Sequence, residues 1–345
     1  MTLSRLMQSF SPGDARIRPN TCSLTARTAV AGIAALALTS HSLITFAQSY
    51  PARPVRLVVP FPPGGSNDIV GRVVAAGLSE RLGKQVIVDN RAGGNSIIGS
   101  EIVATAQPDG YTLLVISTSF TTNPIIHKLP YDTLKSFAWV AMLGVGPNVL
   151  AVTTSLPVNS LQELIALAKA KPGQLTYAST GVGGNAHLGT ELFKHMTGTN
   201  ILHVPYKGGV PALLDTVSGQ AQMCLSSLIQ ASVYIRSGKL RALATSGGKR
   251  SVILPVVPTI SEAGVPGYET QNWWGVAAPR GTPAAVVRRL NEEIKVVLLL
   301  PETGKRLIFE GAEPALKTPD ELGKYVAAEM AKWAQVARIA GIKGE

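Results

Sequence analysis

From residue 55 onward the chain alternates two patterns. Short apolar, β-branched runs read as buried strands, and longer segments with apolar residues at three- and four-residue spacing read as helices. Strands are predicted over 55–59, 86–89, 111–116, 149–152, 175–178, 201–204, 222–225 and 240–245. Helices are predicted over 97–106, from a Ser160 cap to 169, and over 187–196, 211–217, 228–236, 283–299 and 319–339. A further apolar stripe begins at Ile69, Val70, Val73 and Val74. This rhythm predicts an α/β fold with parallel sheets covered by helices on both faces.

Two junctions stand out. Pro60, Pro62 and Pro63 stop the first strand, Gly64 and Gly65 permit a sharp turn, and Ser66, Asn67 and Asp68 are helix-capping residue types. A helix that starts there exposes unpaired backbone N–H groups and a positive dipole end, a place for a carboxylate or a phosphate. The second junction, over 175–188, contains Gly181, Gly183 and Gly184 ahead of Asn185, Ala186 and His187. Gly181, Gly183 and Ala186 also spell a dinucleotide fingerprint, but no acidic residue follows the next strand, so that reading is weak. A carboxylate cradle and a plain helix-start turn both remain. Ser117, Ser119, Phe120 and Thr121 follow one strand and Ser226 and Ser227 another, where open sheets bind ligands; ordinary turn chemistry is the alternative.

Constellations for catalysis are missing. No G-x-S-x-G elbow occurs, and the stretch 77–84 has the wrong glycine spacing for a P-loop, with Gln85 in place of the Ser or Thr. His187, His195 and His203 are not at metal-ligand spacing. His187 is read as capping or packing beside the second loop, with ligand contact the alternative. Asp68 is read as a helix-capping carboxylate, with a general base the alternative.

Composition narrows the class. The chain has 345 residues, 46% hydrophobic and 15% charged, enough for two domains with a large core. Arg5, Arg16, Arg18 and Arg27, an apolar run from Thr28 and a small-residue site ending at Ala47 predict a secretory signal peptide over 1–47. The run is too short and too interrupted to span a membrane comfortably. The remainder keeps 28 of 32 Lys and Arg and 20 of 21 Asp and Glu, a net charge of about +8, which suits small anionic ligands. Scattered basic residues without aromatic interleaving argue against nucleic acid. Cys224 alone remains after processing, in an apolar run, and is expected to be a buried thiol.

The chain resembles the Bug-type substrate-binding proteins of the tripartite tricarboxylate transporter family. The resemblance rests on YPARPVRLVVPFPPGG over 50–65 with Asp68, VDNRAGG over 88–94, PDGYTL over 108–113, HVPYKG over 203–208 and GKLRAL over 238–243. It implies a two-lobed type II periplasmic-binding-protein fold, each lobe a mainly parallel sheet flanked by helices. Lobe 1 would hold 48–148 and 270–345, and lobe 2 would hold 149–269. It implies a monomeric periplasmic protein, not an enzyme and with no cofactor or metal. Such a protein captures a small carboxylate, aliphatic or aromatic, and delivers it to the membrane subunits of a transporter. The alternative is a ligand-dependent signalling partner of a membrane sensor. Carried onto this chain, Phe61, Pro63, Gly64, Gly65, Ser66 and Asp68 form the first loop of the site and Gly181, Gly183, Asn185 and His187 the second. Ser117, Ser119, Phe120, Thr121, Ser226 and Ser227 complete the cleft. Phe61, Phe120 and Trp273 are candidates for an aromatic pocket wall, or for ordinary core. An acidic residue common in the family is absent around 225–227, which makes an amino-acid ligand less expected.

Overall fold

The computed structural model describes residues 50–342; the expected signal peptide, its cleavage site and Cys22 lie outside them. The first strand, β1 (Val55–Val59), lies between β2 (Val86–Asn90) and β3 (Thr112–Ser117), parallel to both. β3 continues antiparallel to β9 (Gln271–Pro279), which pairs antiparallel with the first part of β4 (Phe137–Thr153). The last residues of β4, from Asn148, pair instead with β7 (Met223–Ser227) and β8 (Leu240–Thr245). β5 (Thr176–Ser179) then runs parallel to both β7 and β6 (Leu202–Pro205). A short strand β10 (Glu313–Pro314) pairs with β4. Parallel pairs are present as expected, and every pair that involves β4 or β9 is antiparallel.

β4 is far longer than the predicted 149–152 because Gly144, Gly146 and Pro147 interrupt its apolar pattern. Two of these breakers serve close backbone approach. A Cβ at Gly144 would come 2.9 Å from the Glu313 carbonyl oxygen, and one at Gly146 would come 2.7 Å from that of Gly311. Pro147 marks the switch of partner, from Gln271 on β9 to Ser227 on β7 at the next residue.

Most helices follow a strand directly: α1 (Ser66–Leu82) after β1, α2 (Ile97–Ala104) after β2, α3 (Thr118–Ile126) after β3 and α5 (Asn185–Thr197) after β5. α6 (Gly209–Ser218) follows β6 and α7 (Leu228–Arg236) follows β7. α4 (Leu161–Ala170) starts at the predicted cap, where the Ser160 side chain accepts from the Glu163 N–H. The C-terminal part adds α8 (Ala284–Leu299), α9 (Pro301–Glu310) and α10 (Pro319–Ile339), the last opened by a Thr318–Glu321 capping box.

One core joins β1, β3, β9, α1 and α8 through Leu57, Leu113, Trp274, Val74 and Ile294. Another joins β5, β7, α4 and α5 through Tyr177, Leu225, Leu164 and Phe193. On α10, Trp333 is fully buried in one cluster with Leu188 of α5. Cys224 is buried, which pushes its thiol pKa up to about 12, so it is inert at neutral pH. No described helix is long and apolar enough to cross a membrane.

Candidate functional site

The two glycine junctions have one backbone geometry. After β1, Gly64 takes φ +77 and Gly65 caps α1 at φ −75, ψ 163. After β5, Gly183 takes φ +76 and Gly184 caps α5 at φ −67, ψ 161. In each junction the third helical residue reaches back to the first glycine. Asp68 Oδ2 accepts from the Gly64 N–H at 2.9 Å, and His187 Nδ1 accepts from the Gly183 N–H at 3.1 Å. The sequence reading of Ser66, Asn67 and Asp68 as caps is therefore corrected: the cap is Gly65, without a side-chain bond to the helix. Asp68 instead pins the loop. It also accepts from Arg72 Nε and Asn90 Nδ2 at 3.0 Å, and Asn90 Nδ2 donates to the Phe61 carbonyl at 3.0 Å.

Three more helices begin at the same place. Ser117 caps α3, Ser227 caps α7, and Gly209 and Val210 open α6. All five starts line one cleft that opens to solvent. Phe61, Pro62, Gly65, Ser66 and Asn67 come from the first loop and α1; Ser117 and Ser119 come from the start of α3. Thr180, Asn185 and Ala186 belong to the second junction, Ser227 and Gln230 to the start of α7, and Asn148, Leu225 and Asn272 to the strands beneath. None of these residues is charged. Positive potential therefore comes from backbone: the first N–H groups of each helix have no acceptor within the helix, and each helix start carries about half a positive charge.

Several lining side chains have buried polar atoms without a partner: Asn67 Oδ1, Asn148 Nδ2, both amide atoms of Asn185, Ser227 Oγ and Gln230 Nε2. Their residues are between 2% (Asn148) and 8% (Gln230) exposed. Leaving such groups unpaired costs about 1–3 kcal/mol each, so the arrangement is that of a site completed by something polar.

Of the residues singled out in the sequence, Phe61, Gly65, Ser66, Ser117, Ser119, Asn185 and Ser227 line the cleft. Gly64, Asp68, Gly183 and His187 shape the two loops behind it. Gly181 lines an adjoining cavity that shares Phe61, Pro62 and Thr180 with the cleft and also meets Lys207. Pro63, Thr121 and Ser226 are not in the wall, and Thr121 donates to the Thr118 carbonyl at 2.7 Å inside α3. Two of the three aromatic candidates lie elsewhere. Phe120 packs among Tyr131, Phe137 and Trp139, and Trp273 is fully buried against Tyr325. They sit in the core because Phe120 follows cleft-lining Ser119 on α3, and Trp273 follows cleft-lining Asn272 on β9. One residue's step turns the side chain away from the cleft in both elements. Ser117–Asn123, read as a loop, is the cap and first turns of α3. Asn148, Gln230 and Asn272 were not foreseen; the one available signal is that Gln230 stands three residues after a serine at a strand end.

Residues 70–342 match the model of the tripartite tricarboxylate transporter family receptor. The chain belongs to that receptor family. It is 40% identical over 300 residues to protein BugT of Bordetella pertussis, covering 86% of this chain and 92% of that one. Among solved structures it resembles R. palustris Rpa4515 with adipate, with a TM-score of 0.84, 40% identity, and 86% and 100% of the two chains covered. It also resembles MatC from Rhodopseudomonas palustris with bound malate, with a TM-score of 0.78, 31% identity, and 83% and 99% covered. The family is one of receptors, not enzymes, and the fold is the two-lobed one of periplasmic binding proteins.

In this receptor the pinning side chains are charge-sensitive. Burial pushes the Asp68 pKa up, but Arg72, the Gly64 N–H and Asn90 outweigh it and hold it below the usual carboxylate value. Its contribution to stability is complete above about pH 4 and is lost as pH falls through the lowered value. Asp68→Ala strands the Gly64 N–H and releases the loop. It is expected to destabilise the fold by about 1–3 kcal/mol in urea unfolding and to weaken ligand binding. Unchanged stability would mean that the loop is held by other means.

Burial likewise lowers the His187 pKa, and burial with the neighbouring His187 and Lys194 lowers that of His203 to about 3. The two rings stack with centroids 4.2 Å apart, and His203 stacks in turn on Tyr177 at 4.8 Å. A neutral ring suits the bond from the Gly183 N–H, which a protonated Nδ1 cannot accept. With both folded pKa values below the unfolded value of about 6.5, their contribution is complete above that pH and declines as pH falls towards 3. The melting temperature is expected to fall from pH 6.5 to 5, above the carboxylate range, and to fall less in His203→Gln. Equal slopes in the two proteins would contradict this.

Proposed function

We propose that the protein captures a small carboxylate in the periplasm, by closure of two lobes over the cleft, and presents it to the membrane subunits of a tripartite tricarboxylate-type transporter. The observation that carries this reading is the convergence of five helix starts and several unpartnered buried polar atoms on a cleft whose wall contains no charged side chain. Such a site favours an anion that brings several acceptor oxygens and needs no ion-pair partner. Adipate in one relative and malate in another support the carboxylate class.

The lobes are taken as residues up to 148 with 270 onward, and 149–269. Support comes from β4, which changes sheet partners at Asn148, and from the return at Thr270, which precedes β9. Ser246 ties the two crossings: its Oγ accepts from the Asn148 N–H at 2.9 Å and donates to the Thr270 carbonyl at 2.6 Å. A hinge there lets the α1 and α3 starts approach those of α5, α6 and α7. Ligand drives closure to the extent that it binds the closed arrangement better than the open one.

The test is a thermal-shift screen of ligand-free protein against aliphatic dicarboxylates, citrate, amino acids and aromatic acids. An acid at 100 times its dissociation constant is expected to add about 2.7 kcal/mol of stability, a shift of several degrees. No shift with any carboxylate would contradict the reading.

A further inference from the structure

Three of the cleft's amide side chains, Gln230, Asn148 and Asn272, present nitrogens and form a donor set distinct from the two glycine loops, where Asn67 and Asn185 also present unpartnered oxygens. Gln230 lies in the first turn of α7, and its Nε2 is buried without a partner. Its amide lies against Gly209, where a Cβ would come 2.6 Å from Oε1 and 2.8 Å from Nε2, while Nε2 would lie 3.9 Å from a Cβ on Gly65. It therefore sits between the cap of α1 and the start of α6, elements of opposite halves. Asn148 Nδ2 is likewise buried and unpartnered. Asn272 Oδ1 already accepts from Thr118 Oγ1 at 3.0 Å and from the Trp273 N–H at 3.1 Å, which leaves its Nδ2 as the free end.

Amide nitrogens only donate, so this set calls for acceptors on the ligand. An ammonium group would meet no carboxylate in the wall, only neutral amide and hydroxyl oxygens, and would face five positive helix starts. From these contacts we infer that Gln230, supported by Asn148 and Asn272, is a specificity-determining residue: it reads a second oxygen function on the bound acid and rejects an ammonium group at that position. This rests on the carboxylate reading above and adds which side chain selects among carboxylates. A site built to bond a polar group rejects the analogue that lacks it, because its own polar atoms are then left unpaired.

The test is calorimetry on the wild type, Gln230→Leu and Gln230→Glu. The probes are butyrate, succinate and 4-aminobutyrate, and the same triplets one and two carbons longer. In the wild type the diacid of at least one length is expected to bind at least about tenfold more tightly than its monoacid, with the amino acid weakest. Gln230→Leu, close in volume, is expected to bring diacid and monoacid within about threefold of each other. The loss is expected for the diacid, with monoacid affinity and the ligand-free melting temperature rising slightly, because the amide that neither a monoacid nor the empty cleft pairs is gone. Gln230→Glu is expected to make the ω-amino acid the tightest of its triplet. An equal loss for monoacid and diacid in Gln230→Leu, or no loss for either, would overturn the inference while leaving the carboxylate reading intact. A wild type that binds none of these acids would overturn both.

Discussion

Gly65→Val is expected to abolish ligand binding, by at least about a hundredfold, in a receptor that still folds. That loss corresponds to about 2.7 kcal/mol or more of binding free energy. The backbone at Gly65 is ordinary, with φ −75, so the substitution introduces no conformational strain. Its Cβ is a tight fit, 3.3 Å from the Pro62 carbonyl oxygen, which must give by a few tenths of an ångström, and stands at ordinary contact distance, 3.9 Å, from Gln230 Nε2. The two methyl groups of valine then occupy the strip between the first loop and Gln230, where the N–H groups of α1 meet the cleft. Losing glycine at the cap costs the helix about 1 kcal/mol or less, too little to unfold a domain of this size. The checks are calorimetry for affinity and circular dichroism with a melting curve for the fold. Affinity within about threefold of the wild type would remove the α1 start from the site.

The second large effect is expected at Gly183, for a different reason. Gly183 holds φ +76, and a Cβ there would come 2.8 Å from Ile126 Cγ1 and 3.1 Å from Ile126 Cβ, on α3 of the opposite half. Gly183→Ala therefore has two consequences. The left-handed backbone costs about 1–2 kcal/mol with any side chain. Under the closure proposed above, Gly183 and Ile126 meet only when the halves come together, so the clash is expected to penalise the closed state alone. Affinity is expected to fall at least about a hundredfold, and the compaction on ligand binding, read by small-angle scattering, is expected to disappear. Gly198→Ala is the control. It has the same kind of backbone, φ +63, with no atom near its Cβ, so it should lose a similar amount of stability and keep its affinity. Parallel losses of affinity in both variants would assign the effect to strain and not to closure.

The parts of the site legible in the sequence are those fixed by local chemistry. A β-branched run, three prolines and two glycines before a helix define the first loop within a dozen residues, and the second repeats the design around Gly183 and Gly184. The predicted strand 55–59 and helix 319–339 agree residue for residue with β1 and α10, because strong turn or cap signals bound them. α3 was read as a loop since hydroxyl residues and Pro124 fill its span. The helix persists because Thr121 and Thr122 bond back to carbonyls within it and Phe120 anchors it in the core. β9, with Trp273 and Trp274 in one run, went unread; Gly275 interrupts its apolar pattern, and lets Ile116 and the Ala141 backbone approach. Gln230, Asn148 and Asn272 were illegible for a deeper reason. None of them carries a motif of its own, and each gains its role only when β4, β7 and β9 bring the helix starts together, a matter of strand order that local pattern does not specify.

The most direct test of the account is a crystal structure of the receptor with an acid from the thermal-shift screen. The account expects carboxylate oxygens within hydrogen-bond distance, directly or through one water, of the first N–H groups of α1 and of α5, with the Gln230 amide against the ligand. An acid bound outside this cleft, or inside it but paired with a lysine or arginine in place of the helix starts, would contradict it.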